Sequence, residues 1–237
     1  MRWVHLRLHA PLAAFGGEAI DTRGVTRDFP ARSMLTGLLS NALGWTRSMR
    51  ARHQSLQDRI VYGALREHEP PLGRLTDYQT AQLRHQDKVW TTRGVPAGRA
   101  GGAGSYAGAH QRWRDYHADL RLSVVLRLEP EESEPTLDDL EAALRRPARP
   151  LFIGRKSCLP SAPILHGRVE AADARAALRA IVPAAGEPLR AFWPESEGAD
   201  GAERIFDLTD ERNWSSGLHG GARRVCEGRL SGAETDQ

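Results

Sequence analysis

Lysine is nearly absent from this sequence. Only Lys88 and Lys156 occur among its 33 basic residues, so almost every positive charge is a guanidinium. An arginine presents a planar set of donors that fits phosphate oxygens and stacks on bases, whereas a lysine is a point charge. The bias therefore fits a chain that binds phosphate groups. It fits equally well a GC-rich genome, whose codons favour arginine whatever the protein does.

Cysteine and long apolar runs are also scarce. The two cysteines, Cys158 and Cys226, lie far apart and form no Cys-x-x-Cys pair, which excludes a disulfide framework and favours a reducing cytoplasm. The N-terminus places a polar residue at every second position through Arg7. We therefore expect neither an export signal nor a membrane span. Hydrophobic residues make up 40% and charged residues 27%, as in an ordinary globular protein.

Motifs for metal or nucleotide chemistry are missing. The nine histidines have no metal-ligand spacing, so we expect no metal and no cofactor. The Gly154–Ser157 segment lacks the Gly-Lys pair of a Walker loop, and the glycines at 101–104 follow no clear strand. This excludes nucleotide hydrolysis but leaves Arg155, Lys156 and Ser157 as candidate contacts to an RNA backbone.

Hydrophobic periodicity predicts an α+β fold. Apolar residues alternate over 4–8 and 120–128, which predicts strands, and further strands are expected at 151–153 and around Tyr78 and Val169. Helices are predicted over 35–43, with Ser33 as N-cap and Gly44 as stop, over 56–65, and over 137–144 after Thr136. This order is compatible with a ferredoxin-like split βαβ sheet, which is common in RNA-binding modules.

The composition divides the chain into two parts. Residues 1–183 contain the predicted sheet, and residues 184–237 are rich in Pro, Gly and acid with strand-like pieces at 205–208 and 224–230. We therefore expect a ferredoxin-like domain followed by a small β-rich C-terminal elaboration. Residues 94–108 hold too many glycines for a helix or strand and are predicted to form a loop.

The start of the first predicted helix is a candidate phosphate site. Arg27, Arg32 and Ser33 surround it, and free backbone N–H groups at a helix N-terminus bind anions. The alternative is that Ser33 only caps the helix and Arg32 only meets solvent, because most helix N-termini bind nothing.

A second candidate is the aromatic and basic stretch ahead of the strand at 120–128. Arg112, Trp113, Arg114 and Tyr116 interleave rings and cations, which is typical of single-stranded RNA binding. The alternative is that Trp113 and Tyr116 pack in the core, which is the commoner fate of aromatic residues.

A metal-free ribonuclease site is also conceivable from these residue types. Histidine can deprotonate a 2′-hydroxyl, and lysine can stabilise the charge on the phosphorus centre. The candidates for such a site are Lys88, Tyr106, His110, Tyr116 and His117. Their spacing does not require catalysis.

Six short motifs form an ordered series along the chain: Ala10-Pro11 and Phe15-Gly16, Phe29-Pro30-Ala31-Arg32-Ser33, Leu38-Leu39 and Leu43-Gly44, Asp77-Tyr78-Gln79-Thr80, Trp113-Arg114-Asp115-Tyr116, and Gly154-Arg155-Lys156-Ser157-Cys158 with Pro160 and Pro163. This series resembles the CasD family, the Cas family 5 subunit of type I-E Cascade in the RAMP superfamily. It spans about residues 3–182, and the ordered series is more specific than any one motif. The sequence departs from the family in the Gly- and Ala-rich 94–108 stretch and in an expanded tail.

The resemblance implies a non-catalytic subunit that binds the 5′ handle of a CRISPR RNA. It implies a ferredoxin-like RNA-recognition fold with a protruding thumb, which we place at about residues 76–118. It also implies contacts with the repeated CasC subunit and the large CasA subunit, and target DNA reached through the complex, while a separate subunit, CasE, processes the guide. The alternative is a metal-free guide-processing endoribonuclease, as in some type I-C relatives.

Overall fold

The computed structural model describes residues 1–17, 19–20, 22–68, 73–82, 89–90, 96–97, 109–184 and 186–232. These residues form four α-helices, one 3-10 helix and twelve strands. The helices are α1 (Arg32–Ala42), α2 (Arg50–Arg59), α3 (Leu137–Arg145) and α4 (Ala174–Ile181), and the 3-10 helix is Glu195–Glu197. The strands are β1 (Arg2–Ala13), β2 (Ala19–Ile20), β3 (Arg23–Gly24), β4 (Ile60–His68), β5 (Arg74–Ala81), β6 (Val89–Trp90), β7 (Pro96–Ala97), β8 (His110–Leu128), β9 (Leu165–Glu170), β10 (Leu189–Pro194), β11 (Arg204–Thr209) and β12 (Ala222–Leu230).

Ten of these strands form one large sheet. Seven of them follow the order β11-β12-β10-β4-β8-β1-β9, and all neighbours in this row are antiparallel. Strand β8 is long enough to serve two partners, because its second half pairs with β4 and its first half pairs with β5. The short strand β3 adds a parallel pairing to β8 beside Trp113 and Arg114.

Period-two alternation gives the sheet two apolar faces. On β1, Val4, Leu6 and Leu8 contribute to a core that also contains the buried residues of α1 and α3. Trp3 points to the other face and belongs to a second core beneath α4. Helices therefore cover both faces of the sheet, and the two hydrophobic clusters lie on either side of it.

Helix α3 has the termini that the sequence predicts, whereas helix α1 has only its predicted C-terminus. Thr136 caps α3 in a reciprocal pair with Asp139. Helix α1 ends at Ala42, just before Gly44, but the predicted N-cap at Ser33 is wrong. Ala31 occupies that position without a side-chain bond, and Ser33 lies inside the helix.

Two other predicted elements are also wrong. The helix predicted over 56–65 is divided, because α2 ends at Arg59 and β4 begins at Ile60. Strand β4 is buried on both faces, so its apolar run has no clear period of two, and a short run of this kind is easily taken for a helix. The run at 151–153 is a packed loop, in which the backbone of Ile153 bonds to Ala14 and Cys158.

The C-terminal strands extend the sheet. Strand β10 pairs with β4, β12 pairs with β10, and β11 pairs with β12, so the strands found at 204–209 and 222–230 confirm the two predicted pieces. The glycine-rich loop predicted at 94–108 lies outside the described residues except for Pro96 and Ala97. Lys88 and Tyr106 also lie outside them.

Two further features bear on the sequence analysis. Cys158 and Cys226 are both buried and unpaired, and burial raises the pKa of each thiol. In the described part of the chain, no helix is long and apolar enough to span a membrane, and no three metal-ligating side chains cluster.

Candidate nucleic-acid interface

A groove of about 670 Å³ opens on the described surface. It lies between α1, the loop after β1, the loop at 149–155 and the C-terminal segment at 212–219. Its volume is in the range of sites that hold small organic ligands. Four segments that are distant in sequence therefore meet at one site.

The polar lining of this groove is cationic. Four arginines line it, Arg47, Arg149, Arg155 and Arg212, together with His53 and His219. Among the described residues that line it, none is Asp or Glu. A concave surface with one sign of charge concentrates the electrostatic potential, and here that potential attracts anions.

The pKa values of two lining groups reflect this charge. Burial and the nearby positive charge of Arg47 lower the pKa of Arg212. Burial, followed by the charges of Arg212 and Arg27, lowers the pKa of His219. The cations in the groove therefore repel one another, and an anionic ligand would relieve that repulsion.

Two of the arginines are held by backbone carbonyl groups. Arg149 donates to the carbonyl oxygens of Gly44 and Trp45, both at 2.8 Å, just beyond the end of α1. Arg155 donates to the carbonyl oxygens of Asp115 and Gly24 at 2.9 and 3.0 Å. These contacts orient both guanidinium groups without neutralising their charge.

The aromatic wall of the groove consists of Trp45, His53 and Trp214. The His53 ring stacks on Trp214 with 4.6 Å between centroids and meets the Trp45 ring edge-on at 5.6 Å. The guanidinium of Arg212 lies over the Trp214 ring, 5.2 Å from its centroid. Rings and arginines interleaved in this way are typical of sites that bind single-stranded nucleic acid.

Gln57 on α2 holds the C-terminal part of this wall, Arg212 and Trp214, in place. Its side-chain oxygen accepts hydrogen bonds from the backbone N–H of Arg212 at 3.1 Å and from the indole N–H of Trp214 at 3.0 Å. Its amide nitrogen donates to the carbonyl oxygen of Arg212 at 3.0 Å. Gln57 is only 1% exposed, so these bonds are well shielded from water.

The expected phosphate site at the start of α1 is already occupied. The Arg32 N–H donates to the Asp210 carboxylate at 2.9 Å, and the Ser33 N–H donates to the Asp210 carbonyl oxygen at 3.1 Å. The Arg32 side chain donates to Glu211 at 2.6 Å. The N–H groups of Arg32 and Ser33 are therefore not free, because the chain supplies its own anion there, and phosphate binding at this helix end stays a prediction.

The structure brings only some of the predicted residues together. Ser33 and Arg155 line the groove. Lys156 and Ser157 are exposed and directly follow Arg155 in the sequence. Arg27 donates to the carbonyl oxygen of Thr209 at 2.7 Å. RNA binding by each of them stays a prediction.

The basic and aromatic stretch on β8 adjoins the groove through Arg155, but none of Arg112, Trp113, Arg114 and Tyr116 is part of the lining. Arg112 and Arg114 donate to backbone carbonyl groups on or beside that strand. Tyr116 is buried beneath Arg155, whose guanidinium lies 4.5 Å from the ring centroid. For Tyr116 the packing alternative describes its surroundings, while Trp113 pairs with Tyr78 at 5.1 Å between ring centroids.

The described candidates for a ribonuclease site do not converge. His110 and His117 lie seven residues apart on β8, which separates them by roughly 24 Å. His117 is buried, bonds to the carbonyl oxygen of Arg27 at 2.7 Å, and burial lowers its pKa to about 4. A neutral, enclosed histidine of this kind is placed to support the fold.

Sequence reasoning missed most of the groove. Trp45, Arg47, His53, Arg212 and Trp214 belong to no motif, and the arginine-rich composition was merely compatible with anion binding. The C-terminal residues in particular gave no local signal.

A model of the CRISPR-associated Cas5 protein family matches residues 3–226. The chain belongs to this family. The Cas5 chain is 28% identical over 188 residues to the CRISPR system Cascade subunit CasD of Escherichia coli (strain K12), an alignment that covers 77% of this chain and 78% of that protein. The resemblance found in the motifs is thereby confirmed.

Solved structures have the same fold as this Cas5 chain. A chain from a CRISPR RNA-guided surveillance complex aligns with a TM-score of 0.68 at 20% identity, covering 97% of this chain and 90% of that one. A crystal structure of a Cas protein aligns with a TM-score of 0.60 at 23% identity, covering 97% and 95%. At these identities the likeness shows a shared fold.

Proposed function

We propose that this chain is a non-catalytic RNA-binding subunit of a type I-E Cascade surveillance complex, in which it binds the 5′ handle of the CRISPR RNA. Its partners would be the CasC backbone subunit and the CasA large subunit, and target DNA would be reached through the complex. The observation that carries the proposal is the cationic, aromatic groove, whose described lining contains no acid. Membership of the Cas5 family and the similarity to CasD support it.

The proposal includes a ferredoxin-like scaffold over residues 1–183. The support is the order β4-β8-β1-β9, with α1 and α2 connecting β1 to β4 and α3 connecting β8 to β9. This is the antiparallel order that a split βαβ motif produces. Strand β5 and the first half of β8, with the residues between them, would form the thumb at about 76–118, and residues 184–237 would be the elaboration.

RNA would be held mainly through its phosphates. Each arginine in the groove can neutralise one phosphate and release a counterion, so binding should weaken steeply with salt. Four such contacts to a single strand predict a slope of about −3 for the logarithm of affinity against the logarithm of salt concentration. Phosphate contacts set position, and contacts to base edges set sequence preference.

The test is binding of the purified chain to a labelled repeat-derived RNA that carries the 5′ handle. A scrambled RNA of equal length is the control for sequence, and binding is measured by fluorescence anisotropy at several salt concentrations. We expect tighter binding to the handle RNA. Equal binding to both RNAs would contradict the proposal.

Variants of the groove make this test specific. Arg47→Gln and Arg212→Gln should each weaken binding and make the salt slope shallower by about 0.7. Arg146→Gln is the matched control, because Arg146 is exposed and lies outside the groove lining. Equal losses in all three variants would mean that net charge, and not the groove, determines binding.

A gel of the same RNA after incubation in EDTA tests the absence of catalysis. Intact RNA is expected, because the described candidate residues do not meet at one site. A single specific cut would instead identify the chain as a guide-processing endoribonuclease of the type I-C kind.

A further inference from the structure

We propose that the groove contains a slot for one unstacked nucleobase, and that Ser40 is the residue that reads the edge of this base. The inference rests on the proposed function, since it assumes that the groove binds single-stranded RNA. It adds a location for the base and a specificity-determining side chain.

Ser40 is a buried polar group that lacks a partner. It is 1% exposed, and its hydroxyl has no hydrogen-bond partner among the described residues. A serine or threonine inside a helix usually bonds to the carbonyl oxygen four residues earlier, as Thr36 does to Arg32 at 2.9 Å. A buried hydroxyl without a bond is costly, and Ser40 is part of the groove lining, where a ligand can supply that bond.

The surface of α1 beside Ser40 carries no side chain at Gly37. A Cβ atom built on Gly37 would meet no atom within 4 Å, so open space lies directly above the helix backbone there. Ser33, Gly37 and Asn41 follow each other at intervals of four residues and all line the groove. Small side chains along one row leave a shallow floor on which a planar base can lie.

The surroundings of this floor fit a nucleotide. The side-chain amide of Asn41 already donates to the Pro150 carbonyl oxygen at 2.8 Å. Of these two neighbouring polar side chains, Ser40 is the one without a hydrogen-bond partner among the described residues. Arginines Arg47 and Arg149 line the same groove and can bind the flanking phosphates. A base in the slot would therefore have a floor, a hydrogen-bonding group at its edge, and cations for its backbone.

The experiment compares the wild type with Gly37→Leu and Ser40→Ala, using the handle RNA and a series of the same RNA in which one base at a time is removed. Gly37→Leu fills the slot, and Gly167→Leu is its matched control, since a Cβ there also meets nothing within 4 Å and Gly167 lies on β9 outside the groove. Thermal melting of every variant confirms that it is folded.

We expect Gly37→Leu to weaken binding of the handle RNA by about tenfold or more, which is the size of one lost base contact, and Gly167→Leu to leave it unchanged. Ser40→Ala should weaken it by about three- to tenfold. One base removal should weaken binding to the wild type and have no further effect in Gly37→Leu, because that variant has already lost the contact.

Two results would overturn the proposed base slot without contradicting RNA binding by the wild type. The first is wild-type affinity in a folded Gly37→Leu variant, and the second is an equal effect of every base removal in wild type and variant. A wild type that does not prefer the handle RNA over the scrambled RNA would overturn the proposed function and the slot together.

Discussion

The buried carboxylate of Asp210 joins the C-terminal segment to α1, and its removal tests whether this contact holds the groove together. Its side chain is fully buried and is paired with Arg223 at 2.9 Å. It also accepts hydrogen bonds from the Tyr62 hydroxyl at 3.0 Å and from the Arg32 N–H at 2.9 Å. The change we consider is Asp210→Asn, which keeps the size of the side chain and removes its charge.

The expected loss of stability is large because Arg223 would remain buried without its ion-pair partner. Burial alone would raise the pKa of Asp210, but the hydrogen bonds and charge of Arg223 outweigh it and lower the pKa. Breaking one partner out of a buried ion pair costs about 3 to 5 kcal/mol. A domain is typically stable by about 5 to 15 kcal/mol, so this single change removes a large part of the total.

Urea unfolding followed by tryptophan fluorescence measures this loss. Asp207→Asn is the control, because Asp207 is exposed on the neighbouring strand β11 and should change stability by less than about 0.5 kcal/mol. Adding Arg223→Met to Asp210→Asn should recover part of the loss, since the unpaired cation is then removed. A loss below about 1 kcal/mol in Asp210→Asn would refute the reasoning.

Three further predictions concern the groove and the core. Gly154→Ala should cost about 3 kcal/mol or more in unfolding free energy, because its Cβ would lie 1.5 Å from a backbone oxygen, whereas Gly16→Ala, with a positive φ but open space, should cost about 1 to 2 kcal/mol. Gln57→Leu should cost about 2 to 3 kcal/mol and weaken handle binding in parallel, because the groove wall loses the three hydrogen bonds that Gln57 makes. A stable variant whose amides at 212–214 exchange no faster than those of the wild type would contradict this. Burial lowers the pKa of His5 and His117 to about 4, so the unfolded chain binds more protons than the folded chain below about pH 6.5. The free energy of unfolding, measured by urea titration, should therefore fall by about 2 kcal/mol per histidine between pH 7 and pH 5. The fall should be smaller in His117→Gln.

Local patterns predicted much of the fold. The alternation over 4–8 and 120–128 identified β1 and β8, and Thr136 marked the start of α3, because period and capping depend on neighbours along the chain. The family resemblance was likewise contained in short ordered motifs. Strand β4 was mistaken for a helix because burial on both faces removes the alternation that distinguishes a strand.

Local patterns did not identify the candidate site. Composition was compatible with anion binding, but the helix N-terminus that sequence reasoning selected is filled by Asp210, almost 180 residues further along the chain. No local pattern reveals that such a distant carboxylate returns to this point.

The sequence by itself therefore determined the family, the strands β1 and β8, the helices α1 and α3, and the preference for arginine over lysine. Only the tertiary structure decided which arginines share a groove, since Arg47, Arg149, Arg155 and Arg212 come from three separate segments. The physical reason is that periodicity and capping act over a few residues. A concave site depends on contacts between segments that only folding brings together.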